Sequence, residues 1–131
     1  MEYERFLLTN GVPAVATPTM PGSPVSLQVW FSSGARVERD EESGLSHFNE
    51  HMIFKGGGQD FPDAKSVQHA LWLLGGQNNG ATSHEFVVYF IAVPAYDLSR
   101  AAHLFSDMIG HSAMKPADVE LERGVILQEF K

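Results

Sequence analysis

Between Val25 and Phe31 the chain reads Val-Ser-Leu-Gln-Val-Trp-Phe, apolar at nearly every second position. Side chains of an extended strand alternate between its two faces, so this run is a half-buried strand that needs other elements to cover its apolar face. The flanking sequence supplies them. "RFLLTNGVPAVATP" reads as strand, Asn10-Gly11 turn, strand. "QNNGATS" followed by "EFVVYFIAV" reads as two strands, or as one strand broken by a bend.

Helical periodicity marks four further segments. Ser43 is a plausible N-cap for a helix from about Leu45 to Phe54, which the glycines 56–58 then stop. "PDAKSVQHALWLLGG" places Val67, Ala70, Leu71 and Leu74 on one face and closes on Gly75-Gly76. "AYDLSRAAHLFSDMIG" puts Leu98, Ala101, Ala102, Phe105 and Ile109 on its expected buried side, and Pro116 opens a fourth helix that runs to the chain end. Strands first, then strands mixed with helices, indicate an α+β fold with helices packed on a mixed, largely antiparallel sheet. Trp30, Trp72, Tyr89 and Phe90 are expected in the core, and the charged run "RVERDEESG" in a solvated loop.

With 131 residues the chain is one domain or part of one. Ending at Lys131 inside an apparent helix, residues 1–131 are expected to be a single, incomplete N-terminal domain. The formal charge of −7 argues against a general nucleic-acid binder, which needs a basic face. No run approaches the roughly 18 apolar residues of a membrane span, and "MEYERF" has no apolar signal segment, so a cytoplasmic location is the default expectation. There are no cysteines, so a transition metal here would be held by imidazole and carboxylate alone, a donor set that suits zinc among several metals.

The stretch "HFNEHMIFKG" carries the chemistry. Residues of an α-helix advance by about 100°, so His47 and His51 point about 40° apart on successive turns, and Glu50 lies about 60° from His47 on the other side. Two imidazoles so placed can bind one metal ion while the carboxylate reaches a water on that metal, as metal-assisted hydrolysis requires. The competing reading is a solvated polar face. Leu45, Phe48 and Met52 form the expected apolar stripe roughly 130° away, so these are not core histidines. Catalytic zinc usually takes three protein ligands, and "VELERGVILQEF" offers Glu122 and Glu129, seven residues apart on one helix face with Val125 and Ile126 between them. A carboxylate on an apolar face needs a counter-charge, and a metal would supply one; the competing reading of this segment by itself is an amphipathic helix with a broad solvated border.

Taken together, these segments resemble the pitrilysin/mitochondrial processing peptidase family of zinc metallopeptidases, which carries the inverted H-x-x-E-H motif. "SSGARVERDEESGLSHFNEHMIFKG", "GGQNNGATSHEFVVYF" and "ELERGVILQEF" are similar, in order and spacing, to the family's active-site stretch, its strand segment and its ligand-bearing helix. The resemblance implies the processing-peptidase metallohydrolase fold and a metalloendopeptidase using Zn2+. It implies His47, His51 and Glu129 as metal ligands, Glu50 as general base, and Glu122 as a carboxylate supporting a ligand histidine. It also implies Asn79 and Gly80 on an edge strand that pairs with the backbone of an extended peptide substrate.

Asn49, Gly57 and Gly80 depart mildly from the family pattern. Length departs more: members close two related halves around the peptide, so a complementary C-terminal half or second subunit is an implied partner. A non-catalytic partner subunit is the alternative the resemblance allows, although such subunits typically lose motif residues and here all are present. A sulfur-ribosyl lyase shares only the short motif and needs cysteine, which excludes it. His69, His84, His103 and His111 have no mutual ligand spacing and are expected to be surface or structural, with His84 the one candidate for touching substrate from the edge strand.

Overall fold

In the computed structural model, which describes residues 2–129, the run Val-Val-Tyr-Phe-Ile-Ala-Val organises the fold. It forms a strand (Val87–Val93) whose residues are buried or half-buried on both faces, and such continuous apolar character belongs at the centre of a sheet. The alternating strand Val25–Phe31 pairs with it antiparallel on one side, Val25 opposite Val93 and Phe31 opposite Val87. The strand Gln77–Thr82 pairs on the other side, Thr82 opposite Val87 and Gly80 opposite Tyr89. In chain order the strands are β1 (Glu4–Leu7), β2 (Pro13–Ala16), β3 (Val25–Phe31), β4 (Gln77–Thr82) and β5 (Val87–Val93). The central sheet has the order β3-β5-β4, and β1 and β2 form a separate hairpin. Both sheets are wholly antiparallel among the described residues, and the expected α+β class holds.

The hairpin turns where Asn10 and Gly11 demand it. Gly11 has a positive φ of 84°, its N–H donates to Leu8 O at 2.8 Å, and the Asn10 side chain accepts from Val12 N at 3.1 Å.

The helices α1 (Leu45–Ile53), α2 (Ala64–Leu74), α3 (Leu98–Gly110) and α4 (Pro116–Glu129) fall close to their expected bounds. Asp63 caps α2 through Ser66, and Gly75 ends it in the left-handed conformation that glycine favours. Val67 and Leu74 of α2 with Ala101, Leu104, Phe105 and Met108 of α3 bury against Val87, Tyr89, Ile91 and Val93 of β5.

Several expectations are corrected. The N-cap of α1 is Gly44, at φ 91°, and not Ser43. Its free N–H groups are satisfied from outside the helix: Glu38 accepts from Gly44 N at 2.8 Å and from Ser46 N at 2.6 Å. Those donors hold the Glu38 carboxyl below the usual carboxylate range, the Ser46 N–H foremost. The charged run is therefore not a simple solvated loop but two 3-10 turns, Ala35–Val37 and Asp40–Glu42, flanking the residue that caps α1.

The buried face of α1 is Met52 with Ile53, whereas Leu45 is exposed. On α3, Ala102 is exposed and Leu104 and Met108 take the buried positions. Tyr89 is fully buried, but Trp30 and Trp72 are 57% and 75% exposed and are not core. Trp30 lies on the polar face of β3, donating to Gln28 at 3.0 Å and packing on Phe86, and Trp72 stacks on His69. The expected end of the chain inside α4, at Lys131, lies outside the described residues.

Candidate metal centre

Three elements meet at one corner of the fold. α1 lies across α4 and over β4, one of the two edge strands of the central sheet among the described residues. α1 contributes His47, Glu50 and His51, α4 contributes Glu122 and Glu129, and β4 contributes Asn79, Gly80 and Thr82. His47 and His51 stand edge to face with ring centroids 4.7 Å apart. Their Nε2 atoms are 3.1 Å from each other, and Glu129 Oε2 is 3.5 Å from His47 Nε2 and 3.9 Å from His51 Nε2. Each residue of this trio offers a ligand atom within 4.8 Å of the others.

The donor set fits a metal on chemistry and on size. Ligand atoms about 2.0–2.1 Å from a tetrahedral zinc ion lie roughly 3.3 Å from one another, close to the observed spacings. Glu50 stands outside the trio. Its Oε2 accepts a hydrogen bond from Thr82 Oγ1 at 2.5 Å, and its other oxygen rests against Gly80. A β-carbon at position 80 would fall 2.8 Å from Glu50 Cγ and Oε1, so the missing side chain makes room for this carboxylate.

The second carboxylate of α4 points at the first turn of contacts around His51. Glu122 Oε1 lies 2.8 Å from His51 Nδ1, and Lys55 Nζ forms an ion pair with Glu122 Oε2. Glu122 is only 6% exposed. Burial pushes its carboxyl pKa up, but the bonds to Lys55 and His51 outweigh that and hold it below the usual range. The counter-charge expected from a metal on this face comes, for Glu122, from Lys55, with His51 as its hydrogen-bond partner. Of the residues expected between the two carboxylates, Ile126 is buried and Val125 is 40% exposed.

Beside the site, Tyr89 has a buried hydroxyl, and burial together with the Glu50 charge pushes its pKa up. A cavity of about 370 Å3 is lined by Ser46, Asn49, Ile53, Tyr89 and neighbours, and none of His47, Glu50, His51 or Glu129 is among its walls. The candidate ligands lie nearer the surface, with side-chain exposures of 30% for His47, 21% for His51 and 47% for Glu129.

Asn79 folds its side chain back to accept from Gly80 N at 3.0 Å. Strand alternation puts it on the sheet face opposite Gly80 and Thr82. His84 sits in the turn between β4 and β5, not in the edge strand, where its carbonyl accepts from Arg36 N at 2.8 Å. His103 pairs with Asp60 at 2.9 Å and His111 with Asp107 at 3.1 Å, both structural contacts.

Sequence reasoning missed Thr82 and Lys55. Both carried a signal: Thr82 shares a strand face with Gly80 two residues earlier, and Lys55 follows His51 by one helical turn.

Comparison with known proteins gives the class to which this fold belongs. Residues 14–131 match the family described as Insulinase (Peptidase family M16), and the chain belongs to that family. It is 36% identical over 128 residues to the mitochondrial-processing peptidase subunit beta of Dictyostelium discoideum, covering 98% of this chain and 27% of that protein. It is 32% identical over 128 residues to the uncharacterized zinc protease YmxG of Bacillus subtilis, covering 98% of this chain and 31% of that one. A crystal structure of a protease from Helicobacter pylori superposes with a TM-score of 0.90 at 26% identity, covering 98% of this chain and 30% of its own. The chain thus spans about a third or less of these relatives.

Proposed function

We propose that this chain is the metal-binding, catalytic part of a zinc metalloendopeptidase that hydrolyses peptides or unfolded segments. One observation carries the reading: His47, His51 and Glu129 converge at metal-ligand spacing from two helices, while Glu50 is held beside them and kept out of the trio by Thr82. A zinc ion bound by that trio would supply a Lewis acid and bring the pKa of a coordinated water to about 7.

The protein's own groups then have distinct tasks. With Glu122 as acceptor 2.8 Å from Nδ1, His51 would carry its proton on Nδ1 and keep the Nε2 lone pair for the metal. Glu50 is the general base, taking the water's proton at Oε1 and passing it to the leaving amine. Thr82 occupies Oε2, which leaves Oε1 as the oxygen that takes the proton. The outer edge of β4, at Asn79 and Gly80, would take an extended peptide as an added strand, through main-chain bonds largely independent of its sequence.

The open surface at the trio and the short span against relatives support a complementary half, in a longer chain or a second subunit, that closes over the peptide and positions it. The relative named as a subunit fits such an arrangement. The alternative, a non-catalytic partner subunit, has against it the presence of Glu50 and all the donors.

A quenched-fluorescent peptide offered to the chain alone and with a complementary half decides between them. Hydrolysis by the assembly, abolished by chelator and restored by zinc, is the expected result. An assembly that binds zinc yet shows the same peptide turnover with Glu50→Gln as with the wild type would contradict the proposed role of this chain.

A further inference from the structure

Lys55 follows the end of α1, its N–H donating to Met52 O at 3.0 Å, and its side chain crosses to α4. There the ammonium engages Glu122 Oε2, while Glu122 Oε1 faces His51 Nδ1 at 2.8 Å. Both partners are withdrawn from solvent, with Lys55 side-chain exposure at 22% and Glu122 at 8%. Building on the zinc reading above, we infer that Lys55 is a positioning residue for the His51 ring: by holding one oxygen of Glu122, it fixes the other as the acceptor for His51 Nδ1–H and so keeps His51 Nε2 turned, proton-free, toward His47 and Glu129.

The geometry supports this in three steps. A carboxylate anchored at one oxygen can turn about its last bond, whereas one anchored at both oxygens has a single orientation. The nitrogen of an imidazole that carries the proton is set by the hydrogen bond the other nitrogen makes, so fixing the acceptor at Nδ1 fixes the tautomer. Nε2 of the same ring lies 3.1 Å from His47 Nε2, in the space the three donors surround. A proton placed there would occupy the lone pair a metal needs. The plain rival is a staple that merely joins α1 to α4, and removing either partner of a buried ion pair is costly in any case.

The test reads the ring directly. In the metal-free full chain, long-range 1H–15N spectra report which His51 nitrogen carries the proton, and competition with a chromophoric chelator reports zinc affinity. The wild type should show the Nδ1–H form. Lys55→Met, and Lys55→Gln, whose amide is uncharged and one bond shorter in reach, should shift His51 toward Nε2–H and weaken zinc binding by about 10–100-fold.

Lys55→Arg, which keeps a cation, should retain the Nδ1–H form and most of the affinity. Lys115→Met, which removes a contact to the Pro62 carbonyl elsewhere, should change neither. If Lys55→Met and Lys55→Gln lower the thermal midpoint but leave tautomer and affinity as in the wild type, Lys55 is a staple and the inference is wrong. A chain that takes up no zinc, but whose His51 tautomer follows Lys55, would remove the zinc reading and leave this assignment standing.

Discussion

Two neighbouring parts of the molecule are held together by different forces. Where α2 and α3 cover the sheet, the contacts are apolar: Val67, Leu74, Leu104, Phe105 and Met108 bury against Val87, Tyr89, Ile91 and Val93. Where α1 meets α4 and β4, the named contacts are His51–Glu122–Lys55, His47–Glu129 and Glu50–Thr82. Met52 and Ile126 are buried there as well, outside the main core cluster. Apolar burial is non-directional and scales with area, so it holds elements together without fixing particular atoms. Hydrogen bonds and ion pairs contribute little net stability but fix direction and distance. The first region therefore secures the fold and the second sets the geometry of the candidate site. Substitutions in the first should change stability, and substitutions in the second should change chemistry.

The largest contrast comes from one substitution on each side. Phe105→Ala, in the core at 2% exposure, should cost about 3–5 kcal/mol and lower the thermal midpoint by on the order of 10 °C or more. Zinc per folded molecule should stay unchanged. Glu50→Gln should do the reverse, cutting peptide turnover by the active assembly ~100-fold or more while stability and zinc content hold. A Glu50→Gln chain that unfolds as readily as Phe105→Ala would break the division between the two regions.

Thr82→Val keeps the shape of the side chain and removes its donor. It should lower turnover by roughly 10-fold with little change in stability, because it releases one oxygen of Glu50 without vacating any volume. Measured kcat should carry the loss, with KM nearly unchanged.

The smallest expected effect is at the cap of α1. Glu38→Gln should lower stability by about 1 kcal/mol at neutral pH, the ordinary worth of a helix cap. The Glu38 carboxyl is held below its usual range in the folded chain, chiefly by the Ser46 N–H. Its contribution is therefore complete above the usual carboxylate range and disappears as pH falls through the lowered value. Thermal melts of the two chains should differ at pH 7 and converge in strong acid.

How much of this was legible in the sequence follows the same division. The helix periods located the four helices and the alternation of Val25–Phe31 located β3, because those patterns record which face meets apolar surroundings; turn and strand signals located β1, β2, β4 and β5. The relation among His47, Glu50 and His51 was equally legible, since it lies within one helix and depends only on the helical angle. What the sequence did not show was which element lies across from which. Lys55 and Glu122 meet only because α1 crosses α4, and Thr82 reaches Glu50 only because α1 rests on β4.

The tryptophan error had a different cause. Residue type pointed inward while position pointed outward: Trp30 falls on the Ser26–Gln28 face of β3, and Trp72 lies about 140° from Val67 on α2. Position prevailed in both. The cap of α1 was hidden because Glu38 reaches it from outside the helix, where no local capping pattern looks.

In the proposed centre, two helices deliver three protein ligands to one metal ion. Zinc-edge X-ray absorption on the purified chain, with metal content measured in parallel, tests it most directly. About one zinc per chain is expected, bound by two imidazole nitrogens and a carboxylate oxygen, with severe loss of metal in His47→Ala, His51→Ala and Glu129→Gln. Stoichiometric zinc retained in Glu129→Gln with an unchanged first shell would contradict it, because α4 would then not supply the third ligand through Glu129.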